Sequence, residues 1–219
     1  MTAPWKALLQ QALASNTSPT SQWPTLATIT HDYKPRVRTI VFRGFIGDTT
    51  TSSDTDRVRW EDMLVFTTDA RSAKVREIVA NGSGELCWYF PETREQFRLA
   101  GTVRVVLPPH HTMRIHEADM PNSGIDWEEL RKHHFHNLSP GARSQFLWPN
   151  PKQTRADTSG WVQAINDQDT QAISEALKNF SLLVFEVQGI DRLELREHPN
   201  RRMIMEKEGE SWRVTEINP

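Results

Sequence analysis

Arg94-Glu95-Gln96-Phe97-Arg98-Leu99-Ala100-Gly101-Thr102-Val103-Arg104-Val105 alternates apolar and polar residues through most of its length. Phe97, Leu99, Val103 and Val105 point one way; Arg94, Gln96, Arg98, Thr102 and Arg104 point the other. Period two over this span is a long strand with one face in a core and one face wet or turned to a ligand. Just upstream, Leu86-Cys87-Trp88-Tyr89-Phe90 is apolar on both faces, as a central strand would be, and Pro91-Glu92-Thr93 turns the chain between the two. In such a strand Cys87 reads as a small core residue.

Strand signals continue on both sides. Leu26 to Thr30 and Arg36 to Phe45 read as a hairpin around the turn His31-Asp32-Tyr33-Lys34-Pro35, and Met63 to Thr67 as a third strand. Leu182 to Val187, Asp191 to Arg196 and Arg201 to Lys207 read as strands near the C-terminus, followed by a Glu208-Gly209-Glu210 turn and a short strand around Trp212. Helices fill the gaps. Trp5, Leu8, Leu9, Ala12 and Leu13 form one apolar stripe behind Pro4. Ser72 is placed to cap a helix that buries Val75, Ile78 and Val79 and ends at Asn81-Gly82. His110 to Leu147 is helical in character with breaks, and Asp169 to Phe180 is another helix. Strands and helices run in blocks, not in βαβ alternation. That predicts a mainly β, α+β chain: an antiparallel barrel with appended helices, one domain over 1–219. Residues 47–59, rich in Thr, Ser and Asp, read as a surface insertion.

Composition excludes several classes. The 219 residues carry 26 Lys+Arg against 28 Asp+Glu, a net charge of -2, so neither a nucleic-acid scaffold nor a polybasic membrane binder is expected. One cysteine excludes an intrachain disulfide and a multi-cysteine metal site. No apolar run reaches membrane-span length, and Met1 to Lys6 lacks the pattern of a secretory signal, so the default compartment is the cytoplasm. Hydrophobic residues make up 37%, a lean content that a dimer interface would offset. No GxGxxG, P-loop, GxSxG or HExxH motif is present. The histidines His110, His111, His116, His133, His134 and His136 show no complete ligand set, and no metal site is expected.

The chemistry that remains is anion binding. Thr67-Thr68 ends one strand, and Ser72-Ala73-Lys74 opens the next helix. A strand-to-helix turn offers free N–H groups and the positive end of a helix dipole, to which the hydroxyls and Lys74 add donors. Arg38 and Arg43 lie five residues apart, on opposite faces of an ideal strand. To share a ligand they need a bulge or twist near Gly44, or contacts with different parts of it. Gln96, on the polar face with Arg94 and Arg98, can both donate and accept, as a flavin edge requires.

Arg38-Thr39-Ile40-Val41-Phe42-Arg43, Leu64 to Lys74, Trp88-Tyr89-Phe90, Arg94 to Gly101, Ser144 to Pro149, Asp191 to Leu195 and Asn200-Arg201-Arg202 together resemble the pyridoxamine 5'-phosphate oxidase-like FMN-binding proteins, which share a split β-barrel. The resemblance implies FMN in the interface of a homodimer and a small-molecule substrate. By it, Arg38, Lys74 and Ser72 hold the phosphate, and Thr39, Ile40 and Val41 run along the flavin. Thr67 and Thr68 line the ring and ribityl chain, Gln96 meets the ring, and Arg43 stands where the oxidases carry a lysine. Lys152-Gln153-Thr154 is a looser match to a partner-chain contact. Arg201 and Arg143 would bind a substrate phosphate. The chain departs from the oxidases at Met203, Met205, Arg196 and His134, where the family pattern has histidine, arginine, tryptophan and tyrosine. Those departures weigh against vitamin B6 oxidation while leaving FMN binding intact. The alternative readings are a flavin-binding dimer without turnover, acting as carrier or sensor, and a barrel that has lost FMN.

Overall fold

A computed structural model of the chain describes residues 3–49, 60–111, 125–155 and 161–219. The strands, in chain order, are β1 (Thr25–Ile29), β2 (Pro35–Thr39), β3 (Val41–Phe45), β4 (Leu64–Asp69), β5 (Ser83–Phe90), β6 (Glu95–Val106), β7 (Phe180–Glu194), β8 (Arg201–Glu208) and β9 (Ser211–Ile217). The helices are α1 (Pro4–Ser15), α2 (Ile46–Thr49), α3 (Ala73–Ala80), α4 (Trp127–His136), α5 (Pro140–Ser144) and α6 (Thr170–Leu177). Every strand pairing is antiparallel, in the order β2-β1-β5-β6-β7-β4-β3, with the β8–β9 hairpin joined to β7. The sheet curls into a half-barrel with helices against it, the split-barrel architecture expected.

The β5–β6 pair stands at the centre of the sheet, with Leu86 opposite Leu99 and Trp88 opposite Phe97. Phe97, Leu99, Val103 and Val105 are all buried, as their alternation requires. They join Trp5, Leu9, Phe42, Phe66 and Trp88 in one core inside the curl. A second core lies on the opposite side, where α4 and α6 bring Leu130, Phe135 and Ala176 against Val65, Phe180, Leu182 and Val184. β7 therefore feeds both cores, Leu183 and Phe185 on one side and Leu182 and Val184 on the other.

Five expectations are corrected. Residues 182–187 and 191–196 do not form separate strands: β7 runs unbroken from Phe180 to Glu194, bulged where Ala100 meets Gly189 and Gly101 meets Val187. The segment 36–45 is two strands, because β2 pairs with β1 while β3 pairs with β4 at the far edge of the sheet. Phe180 starts β7 rather than ending α6, because its ring packs into the second core. β5 is buried on one face only. Cys87 and Tyr89 are exposed, since among the described residues no element packs over that side. Val79 is also exposed, on the outer side of α3. Of the expected insertion at 47–59, Gly47 to Thr49 complete α2 and 50–59 lie outside the described residues, as does His116.

At Gly101, β7 leaves no room for a side chain on β6. A Cβ there would lie 2.0 Å from the Glu186 carbonyl oxygen. Gly101→Ala should cost at least about 1–3 kcal/mol by overpacking, read as a lower denaturant midpoint; an unchanged midpoint would show that the strands separate easily.

Candidate functional site

Two local distortions build the site. The chain breaks at Ile40 between β2 and β3, so the segment passes from one sheet edge to the other. Arg43 is then the extra residue of a bulge: Phe42 faces Phe66, but Gly44 already faces Val65. Gly44 sits at φ +125°, a conformation that L side chains rarely adopt. A bulge, one of the alternatives open for this segment, is present, and it aims Arg43 at Thr67 Oγ1, 3.3 Å from Nε.

β4 ends at Asp69, and the chain turns into α3. Ser72 occupies the N-cap position but does not cap with its side chain. Its hydroxyl instead lies 3.2 Å from Lys74 Nζ, while Thr68 Oγ1 lies 3.1 Å from the same nitrogen. The turn is braced by Arg71, which pairs with Asp69 at 2.6 Å and donates to the Trp148 carbonyl at 2.9 Å. Lys74 makes no salt bridge among the described residues, though Asp69 and Glu77 lie near enough to act on its charge. Burial pushes its pKa below the ordinary 10.5, Arg38 and Lys152 add to that push, and the two carboxylates oppose it. An ammonium short of water and gathered by two hydroxyls has the charge and the donors that an anion would use.

A cavity of about 470 Å³ opens in front of this cluster. Thr39, Ile40, Val41, Arg43, Thr67, Thr68 and Lys74 line one side of it; Leu138, Phe146, Trp148 and Trp161 are on the other. Seven of the ten expected cofactor residues thus share one cavity, and Ser72 touches it through Lys74.

Arg38 is nearby but not on the wall. Its Nη2 pairs with Glu77 Oε2 at 2.6 Å, and Nη1 donates to Thr28 Oγ1 and the Leu26 carbonyl. Glu77 is itself held by Thr28 Oγ1 at 2.6 Å. Burial alone would raise the Glu77 pKa, but the Thr28 hydrogen bond and the Arg38 charge outweigh it and hold the carboxyl below its usual value. Arg38 therefore reaches the site as a field, and Glu77 sets its position.

The remaining residues lie elsewhere on the chain. Gln96 stands opposite Leu193, whereas Thr67 stands opposite Leu182. Eleven positions of β7 separate them (193 − 182), ~35 Å at the usual strand rise. Arg201 is at the Gln96 end, opposite Glu194, and pairs with Glu216 at 3.2 Å. Arg143 is buried in α5, where it pairs with Asp167 at 2.5 Å and donates to the Leu138 carbonyl.

A second cavity, of about 650 Å³, lies beyond Arg43, lined by Trp23, Val41, Phe42, Arg43, His133 and His134 among others. His134 is 4% exposed, and its Nε2 has no hydrogen-bond partner among the described residues. Burial, then the neighbouring His133 and Arg43, lowers its pKa from 6.5 to about 4, so it is neutral at pH 7. Sequence reasoning missed Glu77, although its i, i+3 spacing from Lys74 puts both on one face of α3. It also missed Trp161, which only the fold brings to the cavity.

A family model described as the pyridoxamine 5'-phosphate oxidase FMN-binding domain matches residues 2–107. Pyridoxine/pyridoxamine 5'-phosphate oxidase 2 of Arabidopsis thaliana is 30% identical over 99% of this chain and 98% of its own length. The chain belongs to the pyridoxamine 5'-phosphate oxidase-like, FMN-binding family. Among solved structures, a pyridoxamine 5'-phosphate oxidase-related, FMN binding protein from Nostoc punctiforme matches with a TM-score of 0.81 and 33% identity, covering all of both chains. PhzG of Burkholderia lata matches at a TM-score of 0.60 and 21% identity, covering 100% of this chain and 94% of that one, a likeness of fold.

The observed residues fit a flavin mononucleotide. The Lys74 cluster suits a phosphate monoester, and the cavity falls within the ~300–1,000 Å³ range of ligand pockets. Charged Lys74 is the form that attracts phosphate, and its pKa lies below 10.5, so FMN affinity should begin to fall at a lower pH than an ordinary lysine would allow. Fluorescence titration of FMN should show this fall in the wild type and a flatter profile in Lys74→Arg; parallel profiles would place the phosphate elsewhere.

Proposed function

We propose that this protein is an FMN-dependent oxidoreductase acting on a small molecule as a homodimer, with each flavin held in the seam between two chains. The observation that carries the reading is Lys74: a partly dehydrated ammonium held by the Thr68 and Ser72 hydroxyls at the mouth of a ligand-sized cavity. Lys74 and Ser72 would hold the phosphate, with Arg38 adding attraction from its place on Glu77. The Thr39–Val41 segment and Thr67-Thr68 would flank the ribityl chain and ring. When bound, FMN supplies hydride and electron transfer; the chain's own residues bind, orient and exclude water.

The dimer accounts for the divided site. Gln96 and Arg201 lie together at one end of β7, and Lys74 and Arg43 lie at the other. One ligand can meet both groups only if the second group comes from another copy. The exposed Cys87 and Tyr89 on β5, beside Arg98 and Gln96 on β6, offer a face for that copy. The cytoplasm remains the expected compartment, and among the described residues no helix is long and apolar enough to cross a membrane.

A second reading, flavin binding without turnover, draws on Met205 and Met203. Met205 is 2% exposed within the core, and Met203 packs against it. Side chains committed to packing supply no charge or hydrogen bond to a substrate. Anaerobic mixing with candidate reductants separates the two readings, since bleaching of bound flavin requires electron transfer.

The purified protein should be yellow, with absorbance near ~450 nm. Lys74→Ala should weaken FMN binding by about 1.5–3 kcal/mol, and Arg38→Ala should weaken it by less, because Arg38 is paired with Glu77 and acts without a direct contact; full flavin occupancy in both would remove the phosphate from this site. Mixing Lys74→Ala with Gln96→Ala chains should regain flavin in part, because one of the two seams in a mixed dimer keeps both residues. No regain on proven subunit exchange would show that Gln96 takes no part in the partner's site.

A further inference from the structure

The two walls of the flavin cavity are held in different ways. Thr67 and Thr68 stand in the β4–β7 ladder, and Lys74 stands on the helix just after it. The opposite wall is bound to the core only as far as Phe146, whose ring lies 5.0 Å from that of Phe180. From Leu147 to Arg155 the chain is half-buried or exposed, yet Trp148, Pro149 and Pro151 of this stretch line the cavity. Trp148 is its fixed point. The Trp148 ring lies 5.4 Å from that of Trp161, and Nε1 donates to the Val162 carbonyl at 2.8 Å. The Trp148 carbonyl accepts from Arg71 Nη1 at 2.9 Å, the one hydrogen bond among the described residues that ties this stretch to the turn between β4 and α3.

Arg71 is oriented for that reach. Its Nε and Nη2 hold the two oxygens of Asp69, Nη2 at 2.6 Å, and its backbone N–H donates to Asp69 Oδ1 at 2.7 Å. Nη2 also lies 3.4 Å from the Phe146 carbonyl, which Asn179 Nδ2 holds at 2.7 Å. A carboxylate gripped by two arms of a planar guanidinium leaves that group one orientation. Here it is the orientation that puts Nη1 on Trp148. Arg71 therefore has little left to give a phosphate, although it directly precedes Ser72. Trp148 has spent its single side-chain donor on Val162, so what it can offer a ligand is a flat apolar face.

We propose that Trp148 binds the cofactor through that face, and that Arg71 is a positioning residue that sets where the face stands. The proposal deepens the flavin reading and rests on it for the identity of the ligand; the link from Arg71 to Trp148 stands without FMN. Charge and position separate in Arg71→Lys. A lysine keeps a positive charge beside Asp69 but lacks the planar fork that reaches Asp69 and Trp148 together.

The test is a double-mutant cycle on the full chain, with FMN affinity read by fluorescence titration of the wild type, Arg71→Lys, Trp148→Leu and the double variant. Trp148→Leu should weaken FMN by about threefold to tenfold, the worth of an aromatic contact. Arg71→Lys should weaken it by a similar factor. The double variant should lose no more than about twofold beyond Trp148→Leu alone, because Arg71 acts through Trp148. Losses that multiply in the double variant would make Arg71 a direct ligand or a general prop of the fold and overturn the proposal. Wild-type affinity in either single variant would overturn it too. A second readout needs no ligand: in protein labelled with 5-fluorotryptophan, the fluorine signal of Trp148, assigned by its loss in Trp148→Leu, should move in Arg71→Lys. A signal that stays in place would overturn the positioning role. Should Arg71→Lys not fold, Arg71→Gln combined with Asp69→Asn, which leaves no bare carboxylate, replaces it in every arm. If the flavin reading fails instead, the wild type takes up no FMN while the Trp148 signal still moves.

Discussion

β7 must satisfy its backbone on both edges while burying side chains on both faces through much of its length. Fifteen residues long, it lies between two cores, so little of it can turn to water for hydrogen bonds. β6 covers one edge from Leu182 to Glu194, apart from the bulge at Gln188. The other edge is shared: β4 pairs with Phe180 to Phe185, and β8 pairs with Gly189 to Glu194. That division sorts the chemistry of the molecule. The β4 end carries Thr67, Thr68 and the turn to Lys74; the β8 end carries Arg201 and, through β6, Gln96. A site that needs both ends has to be assembled from two chains.

At the β4 end three cations are held in three different ways. Arg38 is neutralised by Glu77 and tethered to Thr28, which fixes its position and spends most of its donors. Lys74 contacts two hydroxyls without a salt bridge among the described residues and loses part of its hydration to burial. Arg43 is thrown outward by a bulge and meets one hydroxyl. The balance among these treatments, rather than the number of positive charges, is what would govern how the cavity meets the phosphate proposed for it. Charges paired within the fold contribute less to a ligand than charges the fold leaves unmatched.

The positions where the chain departs from the oxidase pattern follow the same logic. Met205 fills core volume and His134 is neutral where it is buried, while Arg143 and Arg201, expected to bind a substrate phosphate, are matched by Asp167 and Glu216. Most residues expected to hold the cofactor share one cavity, while those two arginines are engaged in ion pairs.

Local pattern determined much of this protein. The alternation of β6, the Pro4 helix, the Ser72 helix start and the antiparallel block order were legible because period, caps and turns are properties of short stretches. The grouping of Thr67, Thr68, Ser72 and Lys74 was legible for the same reason: eight residues of one strand-to-helix turn cannot stray far from each other. The tertiary structure alone decided that 36–45 divides between two sheet edges, that β7 runs unbroken, and that Cys87 faces outward. Each depends on which elements pack over a given face, and composition does not record that. Tertiary structure likewise tied Arg38 to Glu77, buried Arg143 and sent Gln96 and Arg201 to the far end of β7. A charged side chain reads the same in sequence whether a distant carboxylate claims it or leaves it free.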